Sequence, residues 1–459
     1  MNVLAIHPPK DRPKQLVFPN EEEGRITLDS EYVPGPWDAV MFWGTTERGR
    51  SPIAAEWVLN PPDALKDALD SERTVERLRA HGIRTRYFGR TGRYRVHVFD
   101  LRVLGVYRRS GKKFRRIYSS SKRMRAVRAM AVRCIYALGL HFGSVDVISL
   151  SKDVAVPTRV DPTPALTKVT GRLYARSAAN FVLRKRARLD SERKPVTLGA
   201  DIEFIMRRGK QIIYASRYFS RYGRVGYDQQ GSRYRRGAKP IVEVRPSPSS
   251  DPIELVANIK DLLRRAARRA PKKGVRWQAG SLPVRRYPIG GHIHFSNVAL
   301  TTDLLRALDN YLALPLAMLE DPERARRRRP RYGYLGEFRW QRHGFEYRVP
   351  SSWIVTPEFA YAVCCLAKLV AENYERLTLN PFADNEVCRA FYRSDKRGMR
   401  AAFEAVWSDL ETLPDYERLE EHLRIIPEWV REGKEWSEAR DFRTEWGLVR
   451  RRPRKARRR

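Results

Sequence analysis

Between residues 199 and 350 the chain carries four short segments in which ionisable and apolar residues alternate one for one. In "GADIEF", Asp201 and Glu203 fall on one side, with Ile202 and Phe204 on the other. "VEVRP" pairs Glu243 with Arg245, "GGHIHFS" pairs His292 with His294 against Ile293 and Phe295, and "FEYRVP" pairs Glu346 with Arg348 against Tyr347. A period of two belongs to the β-strand, whose successive side chains point to opposite faces; a helix would scatter each pair around its circumference. The pattern therefore requires strands with an apolar face packed inward and an ionisable face kept together. For one strand alone, a solvated outer face explains the pairing. Four such strands together supply hard oxygen donors for Mg²⁺ or Mn²⁺ and guanidiniums for phosphate oxygens. A funnel lined by buried, unpaired carboxylates would be strongly disfavoured, and bound cations would remove that cost.

The remaining segments arrange themselves around this block. Residues 1–165 read as a smaller α+β domain: "AVMFWGTT" and "YRVHVFDLRVLGVYRR" have strand patterns, while "DALDSERTVERLRAHGI" and "KRMRAVRAMAVRCIYALGL" are amphipathic helices stopped by Gly. A connecting helix and charged linker occupy 166–195, and the strand-rich domain runs over 196–395. Within it, Asp251, Pro252 and Glu254 predict a capped helix start with a closed capping box, and Thr356-Pro357 predicts a second helix reaching about residue 377. Residues 396–447 read as a helical extension whose Trp407, Trp429, Trp436 and Trp446 serve packing, and 448–459 as a basic disordered tail. Neither a P-loop nor a GxGxxG fingerprint occurs.

The order of the alternating strands carries a family resemblance. "LGADIEF", "GGHIHFS" and "FEYRVPSS" resemble, in sequence, the G-x-E-x-E-F, G-x-H-x-H-x-S and I-E-x-R-x-P strands of glutamine synthetases. With "VEVRPSPSSDP" and "GFEYRVPSSWIVTPE", the stretch looks most like the phage-type carboxylate-amine ligases (type 2) of the amidoligase superfamily. This resemblance implies an α+β protein with a glutamine synthetase-like antiparallel-sheet catalytic domain. It implies a metal held by Glu203 and Glu243, another held by Asp201, His292 and Glu346, and phosphate contacts from His294, Arg348, Arg245 and Arg339. Asp201 stands where the synthetase pattern has Glu. The implied chemistry uses ATP and Mg²⁺ or Mn²⁺ to join a carboxylate and an amine, peptide or protein among the candidates, through an acyl phosphate; Glu203, Glu346 and Arg348 are its catalytic set.

The N-terminal part has a separate resemblance. "DSERTVERLRAHGIRT", "YRVHVFDLRVLGVYRR", "ALGLHFGSVDVI" and "RVDPTPALT" are similar to successive pieces of ATP-grasp ligases. Asp146 matches a metal ligand of that family, but Arg159 replaces its Glu, Asp161 replaces its Asn, and the nucleotide-gripping strands are missing between "GIRT" and "YRVHVFD". The expectation is a shortened, inactive ATP-grasp-like domain.

Charge gives the rival function. With 90 Lys and Arg against 53 Asp and Glu, the formal net charge is +37, which calls for a polyanionic neighbour. A non-enzymatic nucleic-acid-binding or virion-associated protein retaining the ligase fold is the alternative, with the tail and basic surface as its contact. A metal-dependent nuclease or phosphatase would use similar ligands but gives no reason for this strand order. The basic run "PERARRRRPRYGYLGEFRW" reads equally as a solvated loop or as a device steering ATP or an acidic substrate into the funnel, and "GYDQQGSRYRRG" as a plain hairpin in preference to a lid or substrate loop. Four cysteines without metal-site spacing, and no apolar run long enough to span a bilayer, predict a cytoplasmic protein with no membrane partner, in the host cell if phage-encoded.

Overall fold

The computed structural model describes residues 2–7, 13, 15–16, 25–29, 35, 37–44, 57–85, 92–190, 194–231, 236–271 and 273–449, with backbone alone at 187–190. The tail from residue 450 and positions 232–235 of the Gly-bounded loop lie outside this set. Among the described residues the chain forms two compact units, 1–193 and 194–459. Both are α+β.

The N-terminal unit holds two sheets. Strands β1 (Asn2–Ile6), β2 (Arg25–Asp29), β3 (Ala39–Phe42) and β4 (Trp57–Leu59) form a parallel sheet in the order β2-β1-β3-β4. Helices α1 (Pro62–Leu69) and α2 (Ser71–Ala80) follow. The predicted single helix over 67–83 is thus broken, because Asp70 is extended and its Oδ1 accepts from the backbone N–H groups of Glu72 (2.8 Å) and Arg73 (3.1 Å). An Asp at that point caps a new helix more favourably than it sits inside an old one. The second sheet is antiparallel, ordered β7-β6-β5-β8-β9 from β5 (Arg93–Phe99), β6 (Arg102–Ser110), β7 (Lys113–Ile117), β8 (Phe142–Ser149) and β9 (Ala155–Asp161). Helix α3 (Lys122–Ala137) packs its buried Val127, Ala131 and Cys134 against β8 and β9. Helix α4 (Lys168–Asp190) sets Tyr174, Ala178 and Phe181 into the core shared by Phe99 and Phe142. The segment "YRVHVFDLRVLGVYRR" is two strands, turned at Asp100 (φ 43°) and Leu101 (φ 64°). Two left-handed residues suit a tight hairpin but are ordinarily Asn or Gly, so the turn has no signal in the sequence; burial of Leu101 and the ion pair of Asp100 with Arg184 (2.8 Å) accompany it.

The C-terminal unit is built on β10 (Thr197–Arg208), a long strand from the first alternating segment. Around it come β11 (Gln211–Ile213), β12 (Val225–Tyr227), β13 (Ile241–Val244), β14 (Val275–Gln278), β15 (Gly291–Ser296), β16 (Phe338–Gln341) and β17 (Gly344–Tyr347). The sheet runs β12-β13-β10-β15-β17-β16, with β11 and β14 also paired to β10, and every pairing is antiparallel. Helix α5 (Pro252–Arg269) lies against β10, β12 and β13, and α9 (Pro357–Asn373) packs on α5; between them in the chain come α6 (Thr302–Leu308), α7 (Leu314–Leu319) and α8 (Pro322–Arg328). Asp251 caps α5 as expected, but Glu254 accepts from the Ser249 hydroxyl (2.5 Å) while Ser249 Oγ takes the Asp251 N–H, so the capping box is replaced by a serine bridge. The last segment closes the apolar side. Phe442 meets the stacked rings of Phe204 and Trp277 edge-on, Gln278 donates to the carbonyls of Glu438 and Ala439, and the Trp446 indole donates to Ile354 O (2.9 Å). The Glu438 carboxylate, 1% exposed, accepts from Ser281 N, Ser281 Oγ and Leu282 N. A Cβ on Gly280 would fall 2.3 Å from Glu438 Cγ, so glycine is required there.

Candidate active site

Cross-strand register gathers the ionisable pairs onto one face. Glu203 lies opposite Glu243, Asp201 opposite His292, His294 opposite Glu346, and Glu346 opposite Arg339. Two carboxylates directly opposed across a ladder repel each other, so Glu203 and Glu243 need a proton or a cation between them.

The first cluster contains a third carboxylate. Asp228, one residue beyond β12, joins Glu203 and Glu243, with donor atoms within 4.8 Å of one another. Glu203 is 3% exposed and accepts from Gly290 N (2.7 Å). Burial, with Asp228 beside it, pushes its carboxyl up to about 8. Glu243 accepts from Arg245, whose guanidinium also donates to Gly223 O (2.9 Å) and Arg221 O. Asp228 was hidden in the sequence inside "GYDQQG", although its spacing of two from Gly226, which faces Glu243, puts it on the same side of the strand.

The second cluster consists of Asp201, His294 and Glu346. The resemblance assigns His292 to this set, but here the imidazole of His294 joins the carboxylates. His294 Nε2 is buried, makes no hydrogen bond, and lies 3.2 Å from Asp201 Oδ2; its Nδ1 is 3.1 Å from His343 Nε2. Burial raises the Asp201 carboxyl, yet His294, Arg245 and Arg339 bring it below its ordinary value. His292 has both nitrogens engaged: Nδ1 with Glu346 Oε1 (3.1 Å) and Nε2 with the Tyr332 hydroxyl. With Tyr332 donating, the remaining proton sits on Nδ1 and points at Glu346. Burial and the nearby Arg348 and Arg328 hold the His292 pKa well down.

Charge on the rest of the face is paired. Arg348 donates to Glu346 and, at 3.2 Å, to Tyr332 Oη, and lies 3.4 Å from Glu337. Arg339 approaches Glu346 Oε2 at 3.1 Å while remaining 57% exposed, and Gln341 donates to the same oxygen. Of the four phosphate candidates, Arg339 is the most exposed, Arg245 and Arg348 are paired with Glu243 and Glu346, and His294 is held through Nδ1 by His343. The basic run before β16 is not a solvated loop at its centre. Arg328 is 1% exposed and donates to Ile289 O (2.7 Å), Val349 O (2.8 Å) and Pro350 O (2.9 Å), tying the entrance of β15 to the exit of β17. Arg329, equally buried, pairs with Glu320 and donates to Phe391 O and Ser394 Oγ. The density of arginine suggested surface; only the packing shows that two of them hold the site's strands and helices in place. Tyr332, with its ring against Arg328 and Arg348, belongs to the site and had no sequence signal beyond its place in that run.

Both clusters fit hard divalent cations. Carboxylate oxygens with a single imidazole suit Mg²⁺ or Mn²⁺, and a cation would satisfy both His294 Nε2, which makes no hydrogen bond beside Asp201, and the elevated Glu203. In the N-terminal unit, by contrast, Asp146 is engaged by Arg95 through two hydrogen bonds of 2.7 and 2.9 Å, and Arg159 lies 3.5 Å from Asp161.

The family model for phage phiEco32-like COOH.NH2 ligase-type 2 proteins matches residues 198–448, more than half of the chain and all of this sheet but Thr197. The chain belongs to that family. The ligase-family match runs through the strand-rich block and on through the helices after 396. No curated protein sequence matches the chain. Among solved structures, similarity reaches D-alanine–D-alanine ligase from Bacillus anthracis complexed with ATP (TM-score 0.31, 10% identity, 41% of this chain and 98% of that one). It also reaches the ATP-grasp ligase PsnB complexed with minimal precursor, Mg and ADP (0.29, 11%, 41% and 98%). A third is the RimK domain ATP-grasp protein from Sphaerobacter thermophilus (0.29, 15%, 40% and 100%). Family membership rests on the sequence match to the ligase model.

Proposed function

We propose that this ligase uses ATP and Mg²⁺ to join a carboxylate to an amine through an acyl phosphate, in the face formed by β10, β13, β15 and β17. The observation carrying the reading is the pair of clusters, Glu203/Asp228/Glu243 and Asp201/His294/Glu346, on one side of a sheet that the ligase model spans. A substrate carboxylate oxygen attacks the γ-phosphorus of ATP, the bond to the bridging oxygen breaks, and ADP leaves. The amine nitrogen then adds to the acyl carbon, phosphate departs with that oxygen, and the nitrogen loses a proton. Cations held by the two clusters would neutralise the phosphate oxygens and the charge developing between them. Arg339 is placed to meet a phosphate at the rim, and Arg348 and Arg245 would turn toward one if their carboxylates were otherwise neutralised. Tyr332 fixes the His292 tautomer, and His292 orients Glu346. Covering the face matters because water competes with the amine for the acyl phosphate. The pairing of Asp146 with Arg95 supports a non-catalytic N-terminal unit.

The test is calorimetric titration of a non-hydrolysable ATP analogue with Mn²⁺, at salt high enough to screen polyanion binding. Wild type should bind saturably and only with metal, and Glu203→Gln/Glu346→Gln should not bind. Equal binding by both proteins would leave the face an inherited scaffold and favour the nucleic-acid-binding reading.

A further inference from the structure

A one-signed surface lies far from the ligase motifs in sequence. Residues 107–128, covering the β6–β7 hairpin and the start of α3, hold ten Lys and Arg and no Asp or Glu. Register sets Arg108 directly opposite Arg115, an arrangement that costs stability in an isolated sheet. Arg108, Lys112, Lys113 and Arg115 are exposed, and none has an acidic partner among the described residues. Strand β5 pairs with β6 only as far as Arg108, so the tip from Arg109 to Phe114, turned at Gly111 (φ +60°), runs past its neighbour as a two-stranded ribbon. Alternation places Arg108, Lys113 and Arg115 on one face and Arg109 and Arg116 on the other. Tyr118, 82% exposed, stands at the base under the Arg116 guanidinium (5.1 Å).

We propose that this hairpin is a nucleic-acid-binding arm that grips the phosphate backbone of a duplex. A two-stranded ribbon fits the major groove, and a groove offers phosphates to both faces of the ribbon; an acidic protein surface would meet only one. The turn, Ser110-Gly111-Lys112-Lys113, has no apolar side chain to insert into a bilayer, and the neighbouring Phe114 is half-buried under the Arg95 guanidinium (4.5 Å). Backbone contacts of this kind give affinity without reading sequence. The arm acts independently of the ligase reaction and places the protein on nucleic acid while its other unit works.

The experiment is fluorescence anisotropy with a labelled duplex DNA over a range of salt, using the full chain so that residues 450–459 are present throughout. The variant Arg108→Ala/Lys112→Ala/Lys113→Ala/Arg115→Ala should flatten the slope of log affinity against log salt by about 3 to 4, because each lost phosphate contact removes about 0.9. A charge-keeping variant, Arg108→Lys/Arg115→Lys, should retain the wild-type slope and shows that folding of the hairpin is not the cause. Removing the same charge elsewhere, with Arg265→Ala/Arg268→Ala/Arg269→Ala/Lys273→Ala, should leave the slope nearly unchanged. An unaltered slope in the hairpin variant, or an equal change in the distant one, overturns the proposal. So does loss of binding to phosphatidylserine vesicles with DNA binding intact.

Discussion

Replacing Glu203 with Gln separates the cost of the carboxylate cluster from its use. Glu203 is 3% exposed, faces Glu243 across the ladder, and is pushed by burial and Asp228 from 4.5 up to about 8. Over that window the folded protein keeps a proton that the unfolded chain has released. Stability contributed by this group is therefore present at pH 4.5 and lost as pH rises, by about 1.4 kcal/mol per unit, levelling off above about pH 8. The accumulated loss is roughly 3 kcal/mol by pH 7. Gln has no charge to bury, and its carbonyl can still accept from Gly290 N. Glu203→Gln and wild type should accordingly unfold at the same urea concentration near pH 4.5, in chelator, with the variant gaining about 3 kcal/mol on wild type by pH 7. Adding Mg²⁺ at pH 7 to about a hundred times its dissociation constant should stabilise wild type by about 2.7 kcal/mol and the variant far less. A stability difference that stays flat from pH 4.5 to 8 would refute the buried-carboxylate argument. Equal metal stabilisation of both proteins would remove Glu203 from the ligand set.

Other perturbations address the supports of the site. Arg328→Met leaves the carbonyls of Ile289, Val349 and Pro350 without a donor and should lower the unfolding free energy by about 3 to 5 kcal/mol; a loss under about 1 kcal/mol in urea titration would mean that the three bonds contribute little. Tyr332→Phe frees His292 Nε2 and should weaken calorimetric binding of Mn²⁺ with the ATP analogue by about 10- to 100-fold, the usual effect of removing a group that orients a ligand, whereas unchanged affinity would make the contact incidental. Asp146→Asn should leave the binding stoichiometry of that analogue unchanged, and loss of a binding event would establish a nucleotide site in the N-terminal unit.

The sheet was legible because its signal is local and periodic. Asp201, Glu203, Glu243, His292, His294, Glu346 and Arg348 share faces by arithmetic, and antiparallel pairing brings those faces together. What escaped depends on which side chain fills the space between strands. His292 and His294 are equivalent to a period-two count, but Tyr332 captures one and leaves the other beside Asp201. Arg328 and Arg329 read as surface because runs of arginine usually are; three backbone carbonyls and Glu320 make them interior, and nothing within "ARRRRP" marks which two turn inward. The break at Asp70 and the turn at Asp100-Leu101 were missed for opposite reasons, the first because a cap fell inside a continuous apolar period, the second because its residues are poor candidates for a left-handed turn.

The clasp of Glu438 on Ser281 and Leu282 also orders events in time. Strand β10 begins at residue 197, yet the residues that cover Phe204 and Trp277 lie at 441–443, roughly 240 positions later, which at ribosomal speeds of 5–20 residues per second is roughly 12 to 50 s. The strands are complete once β17 ends at Tyr347, and from there until that stretch emerges the nascent sheet lacks its far wall. This late-synthesised stretch thus acts as the bolt of the ligase unit, and a chain released before it would expose that aromatic face to other chains.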